Sequence, residues 1–311
     1  MALDQATRTL IGIRGEGGTT DPSSMGLIQA RRSVHDRRFE HGNPPDMHSI
    51  SQIEAPGPDG PVRITVHRPA TRVRGLVLWL HGGGWVLGSA EAAAPVARHL
   101  ASLTRCLVAV IDYRLAPEHP YPSALRDVWS GLEWAHREAS RGTKRLPVVL
   151  AGNGSGANLA AVTALRAVGV PEMDVAAQLL VCPVTDCDVD RPSYLEAENQ
   201  VPYSRASHAW FWDQYAPAPH VDRTDPNLSP LRAADLTGLP PTVLLTAEHD
   251  ALRDEGTAYA NRLRATGVPV RDRCFLGQAH GFLAAVRYLP ASGAALTYLA
   301  EELVDLGVVP W

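Results

Sequence analysis

Three consecutive glycines follow a run of core-type residues: His81-Gly82-Gly83-Gly84-Trp85 stands directly behind GLVLWL. Backbone without side chains at the end of a buried strand leaves N–H groups free to approach a substrate oxygen, which is the geometry of an oxyanion hole. A second glycine-spaced string, Gly152-Asn153-Gly154-Ser155-Gly156, closes the apolar run PVVLA. Its outer glycines set the register of the strand-to-helix elbow G-x-S-x-G, whose central residue is lifted above the sheet. Here that central residue is Gly154, and Ser155 lies one place beyond it. Ser155 should begin a helix, with its hydroxyl bonding first-turn amides and its N–H facing the oxyanion site. Two further groups are suited to holding and moving a proton: Asp250 in LLTAEHD and His280 in QAHGF. Considered singly, Asp250 reads equally as a helix cap before Leu252, and His280 as a packed histidine.

After the next apolar run comes Asp112-Tyr113-Arg114-Leu115-Ala116-Pro117-Glu118-His119-Pro120-Tyr121-Pro122. With HGGGW ahead of it, this string resembles the signature of the hormone-sensitive-lipase-like esterases of the α/β-hydrolase fold, and the resemblance covers roughly residues 60 to 290. It implies that DYRLAPEHPYP braces the loop behind the active site without a catalytic role. It implies an oxyanion hole at the N–H groups of Gly83, Gly84 and Ser155, with Asp250 orienting the imidazole of His280 and His280 moving the proton. The chain order of elbow, acid and histidine is that of the α/β hydrolases.

The resemblance also implies a serine where this chain has Gly154, so no acyl-enzyme forms through that position. Loss of a triad nucleophile costs about a million-fold in kcat in a protease example, leaving roughly 10³ to 10⁴ over water from the rest of the site. Three readings stay open. The chain is an esterase disabled at one residue, either a natural inactive relative or one with its serine replaced by glycine to trap a ligand; or it is a non-hydrolytic lyase, isomerase or cyclase of a biosynthetic pathway, with His280 as general base and Gly83 and Gly84 stabilising an enolate or alkoxide; or it is a binding protein that keeps the pocket without catalysis. Retention of Asp250 and His280 weighs against the last.

These residues need elements to position them. From Pro61 onward, short β-rich runs (VRITVHRP, GLVLWLHG, CLVAVIDY, PVVLAG, AQLLVCPV, PTVLLTAE and a weaker VRDRCF) alternate with stretches at helical spacing, such as Leu125, Val128, Trp129, Leu132 and Ala135. That alternation predicts an α/β class, a mainly parallel sheet with helices on both faces. Residues 1–50, with glycines at 15, 17 and 18 and an arginine-rich stretch at Arg31, Arg32, Arg37 and Arg38, read as an N-terminal cap segment. Residues 51–311 read as the α/β-hydrolase domain, with a cap insertion at about 191–230. This insertion interrupts the alternation with Tyr194, Tyr203, Trp210, Phe211, Trp212 and Tyr215, and a connection that long usually carries function or structure of its own. Trp85, Trp210, Phe211 and Tyr215 are the candidate lining of a substrate pocket, most of the other aromatics serving to pack the cap.

With 311 residues, 45% of them apolar, the chain can bury a large core in one domain. A net charge of −4 gives no footprint for nucleic acid or an acidic membrane, so a small-molecule substrate is the expected partner. Cys106, Cys182, Cys187 and Cys274 lack metal-ligand spacing and read as buried thiols, which suits a reducing cytoplasm. No metal is expected, and because Gly82 to Gly84 lacks the dinucleotide pattern, no cofactor either. No basic leader or long apolar run is visible, so a soluble cytoplasmic protein is expected. A homo-oligomer stays open, since Leu296, Leu299 and Leu303 suit either helix packing or a dimer contact.

Overall fold

The computed structural model describes residues 2–15, 21–36, 40 and 42–310. Their strands are β1 (Ser49–Ala55), β2 (Val62–Arg68), β3 (Leu76–Leu80), β4 (Leu107–Asp112), β5 (Val148–Asn153), β6 (Ala177–Val181), β7 (Thr242–His249) and β8 (Val270–Ala279). Together they form one sheet in the order β1-β2-β4-β3-β5-β6-β7-β8. β2 runs antiparallel to both β1 and β4, and every other pairing is parallel. The helices are α1 (Gln5–Gly15), α2 (Leu27–Asp36), α3 (Ala90–Thr104), α4 (Ser123–Ala139), α5 (Ser155–Ala167), α6 (Pro192–Leu195), α7 (Arg205–Tyr215), α8 (Arg253–Ala265) and α9 (Pro290–Asp305).

Both faces of the sheet are covered, which explains why its central strands are apolar without visible alternation. In β3, Leu76, Leu78 and Leu80 point into the core shared with α4, α5 and α8, whereas Val77 and Trp79 join the core formed with α3 and α9. Leu296, Leu299 and Leu303 of α9 are buried in that second core. Cys106 and Cys182 are buried as expected, but Cys187 is half-buried and Cys274 exposed. The correction at Cys274 follows from β8 being an edge strand, whose charged residues and Cys274 lie at the surface. β1 is also an edge strand and mostly exposed; its polar sequence keeps it out of the β-rich runs, which begin only at Pro61.

α1 and α2 are tied to loops around the site. In α2, Arg31 donates to the carbonyls of Val86 and Ala116, both at 3.0 Å, and pairs with Glu118. Arg37 and Arg38, and the glycines at 17 and 18, lie outside the described residues. α7 opens on a capping box between Ser204 and Ser207, and both hydroxyls donate to Asp21, at 2.6 and 2.7 Å. Among the described residues, no helix is long and apolar enough to cross a membrane.

Candidate active site

The parallel strands deliver the chemically suited residues to one edge of the sheet, at their carboxyl ends. Cα register pairs His249 with Ala279 across β7 and β8, which sets Asp250 and His280, each one residue beyond, side by side. His280 Nδ1 lies 2.8 Å from Asp250 Oδ2, and the Leu252 N–H donates to Asp250 Oδ1 at 2.9 Å. Burial by itself would raise the Asp250 carboxyl, but the charge and hydrogen bond of His280, with further bonds from Leu252 and Cys182, hold it below the usual carboxylate range. An ionised Asp250 fixes the proton of His280 on Nδ1 and leaves Nε2 as the basic nitrogen. Burial, and then the charge of Asp250, push the Cys182 thiol well above its ordinary value. Cys182, Asp250 and His280 have ligand-type atoms within 4.8 Å of one another, and the raised thiol keeps Cys182 a neutral S–H beside the carboxylate at neutral pH.

The elbow joins β5 to α5. Gly154 takes φ 55° and ψ −120°, its N–H donates to Val181 O at 2.9 Å and its carbonyl accepts from Asn158 N at 3.1 Å. A Cβ at this apex would stand 3.5 Å from His280 Nε2, in ordinary contact. Ser155 Oγ accepts from the Trp85 N–H at 3.1 Å, so the hydroxyl supports the HGGGW loop. In place of the first-turn amides of its own helix, expected from the sequence, its partner is the buried Trp85 amide, which arrives from the loop after the neighbouring strand. Among the described residues nothing accepts from the N–H of Gly83, Gly84 or Ser155.

That loop is braced from several directions. Gly82 N donates to Asn153 Oδ1 at 3.0 Å, Ala116 N to Trp85 O at 2.9 Å, and the Tyr113 hydroxyl to His81 O at 2.7 Å. Arg114 is anchored on Asp127 through its backbone N–H and its guanidinium. The DYRLAPEHPYP string thus sits behind HGGGW as a scaffold.

Two hollows meet at Gly83, Tyr203 and His280. One, of about 140 Å³, runs towards α1, α2 and α3 and includes Arg14, Glu40 and Trp79 in its wall. The other, of about 20 Å³, lies over Gly154 and is walled by Trp85, Val184, His208, Phe211 and His280 among others. Of the aromatics singled out from sequence, Trp85 and Phe211 reach the smaller hollow. Tyr215 is stacked on Trp85 at 4.4 Å, and Trp210 packs against Phe211; neither contributes to these two walls.

His208 is absent from the residues singled out in the sequence, and Tyr203, expected only among the aromatics that pack the insertion, lines both hollows. The Tyr203 ring lies 5.6 Å from that of His280. His208 is buried, its ring is 6.3 Å from His280 and edge-on to it, and its Nε2 has no hydrogen-bond partner among the described residues. Burial, and then repulsion from His280, lower its pKa to about 4. The helical spacing of His208, Phe211, Trp212 and Tyr215 was the available signal, since it puts the histidine on the buried face of α7.

Over residues 77–284 the chain matches a family described by the alpha/beta hydrolase fold. It is 37% identical over 229 residues to the carboxylesterase NlhH of Mycobacterium tuberculosis, covering 71% of this chain and 70% of that protein. To an arylesterase of Saccharolobus solfataricus it is 30% identical over 298 residues, 92% and 94% of the two chains. Among solved structures, an ester-hydrolase from the metagenome of Lake Arreo, complexed with a bipyridine phosphonate derivative, superimposes with a TM-score of 0.90 at 32% identity over 98% of this chain and 99% of that one. A hyperthermophilic esterase from the archaeon Pyrobaculum calidifontis gives 0.89 at 33% identity, over 99% and 100%.

Proposed function

This chain belongs to the α/β-hydrolase family of hormone-sensitive-lipase-like carboxylesterases, and from that premise we propose that it is an enzyme acting on a small acyl or carbonyl substrate by general-base catalysis from His280, without a serine-bound intermediate. One observation carries the reading: the elbow apex is Gly154, and the adjacent hydroxyl, on Ser155, is engaged by the Trp85 N–H. Asp250 orients the imidazole, Nε2 takes the proton, and the N–H groups of Gly83, Gly84 and Ser155 receive the negative charge that develops on the substrate oxygen. The aromatic and aliphatic wall of the larger hollow suits a mostly apolar substrate, with Arg14 and Glu40 as its polar end. No cofactor takes part in this scheme.

A fluorophosphonate probe followed by intact-protein mass spectrometry tests the absence of a serine nucleophile: no adduct is expected, and labelling at Ser155 would overturn the assignment. Gly154→Ser should raise hydrolysis of short p-nitrophenyl esters by about 10³-fold or more, below a ceiling of ~10⁶. His280→Ala should remove turnover, by about 100-fold at least; turnover that survives it takes the histidine out of the mechanism. A second reading has the same base removing a proton from a substrate carbon or hydroxyl, in an elimination, isomerisation or cyclisation. It is favoured by Nε2 facing the space over Gly154, where no described side chain donates to it, and product analysis distinguishes the two.

A further inference from the structure

We propose that the nucleophile is a water molecule held in the small hollow over Gly154 between His280 and His208, which makes His208 a second catalytic histidine for direct hydrolysis of activated esters or lactones. The inference rests on the reading of His280 as a general base. Size is the first argument: a water needs roughly 10–15 Å³ and two to four polar partners, and the hollow offers about 20 Å³. Polarity is the second. Its wall carries the basic Nε2 of His280 and the imidazole of His208, whose buried Nε2 meets no group of the protein. An unpartnered polar nitrogen buried at such a place is costly unless something else satisfies it.

Position is the third argument. The two hollows meet at Gly83, Tyr203 and His280, so a substrate filling the larger one brings its carbonyl to the junction, with the oxyanion donors and the water both within reach. His280 Nε2 then removes a proton from the water as its oxygen bonds the carbonyl carbon. The carbonyl oxygen becomes an oxyanion held by the backbone N–H groups. As the tetrahedral adduct collapses, the carbon–oxygen bond to the alcohol breaks and the proton on His280 passes to the departing alkoxide. His208 stays neutral throughout at neutral pH, so it orients the water and leaves His280 as the base.

The test is a double-mutant comparison on p-nitrophenyl acetate, using the full chain with folding checked by circular dichroism. In the Gly154 background, His208→Phe should lower kcat by about 10-fold or more with KM changed little, while His208→Gln, which restores a polar partner, recovers most of the loss. In a Gly154→Ser background the serine hydroxyl occupies the water's place, turnover shows an acyl-enzyme burst, and His208→Phe should matter several-fold less. An equal His208→Phe effect in both backgrounds means a merely structural histidine and overturns the proposal. So does wild-type turnover no higher than that of His280→Ala. If His280→Ala is inactive while His208→Phe keeps wild-type kcat, the water site fails and the general base stands; if His280→Ala keeps wild-type kcat, the base itself fails.

Discussion

At the scale of single residues, the three glycines of the elbow are held for different reasons. A Cβ on Gly156 would lie 2.0 Å from the Leu80 carbonyl oxygen, and one on Gly152 would lie 2.5 Å from the backbone of Gly156, whereas one on Gly154 meets nothing nearer than 3.5 Å. Close approach of β3 and α5 therefore forbids side chains at the outer two positions, and only the backbone conformation favours glycine at the centre. Gly154→Ser should fold and lose about 1–3 kcal/mol, the strain of a side chain in that left-handed region. Gly156→Ala should lose about 3 kcal/mol or more, because backbone must move. Urea denaturation of the two variants checks the order, and a Gly154→Ser protein less stable than Gly156→Ala would refute it. The outer glycines made the apex and the offset of Ser155 legible in the sequence, since they fix a register that a free serine cannot. The burial of His208 was legible in that helical spacing but its unpartnered nitrogen was not, because a histidine among tryptophans on a helix gives no sign of whether its ring nitrogen finds a partner.

At the scale of elements, the strands and the insertion at 191–230 differ in how much of their placement is local. Each central strand is a short β-rich run between turn residues, and its position follows from parallel pairing and from helices covering both faces. β1 broke that rule because an exposed edge strand has no need of an apolar sequence. The path of residues 191–230 is set by contacts distant in sequence, such as Asp21 with Ser204 and Ser207, which no local pattern announces. α7 matters most to the site: the Phe211 ring packs so closely on Gly84 that a Cβ there would lie 2.2 Å from it. Phe211→Ala should destabilise the protein by about 3–5 kcal/mol, as for other large buried aromatics. It should also widen the hollow over the elbow, so that in the Gly154→Ser background p-nitrophenyl butyrate gains on the acetate in kcat/KM. An unchanged ratio would show that Phe211 does not bound the acyl site.

At the scale of the whole molecule, the same burial that builds the site makes the fold sensitive to acid. His208, on the buried face of α7, and His67, on β2, are each pushed down to about 4, chiefly by burial, with the nearby positive charge of His280 or Arg98 adding to it. The unfolded chain takes up these two protons near pH 6.5, whereas the folded chain resists until about pH 4. Their contribution to stability is therefore complete above pH 6.5 and falls as the pH drops towards 4, by about 1.4 kcal/mol per pH unit for His208. Below that window Asp250 and Asp21 act in the same direction: burial opposes them, but hydrogen bonds from His280 and from Ser204 hold both carboxyls under their ordinary value, and protonating them loosens the dyad and the tie between the N-terminal segment and α7. Urea titrations at pH 7, 5.5 and 4.5 should show stability falling through this range, and His208→Phe should flatten the fall by one proton's share while leaving the rest. A slope identical in the variant would mean that His208 is already protonated in the folded protein, and a charged His208 beside His280 is incompatible with the neutral water-holding role proposed for it.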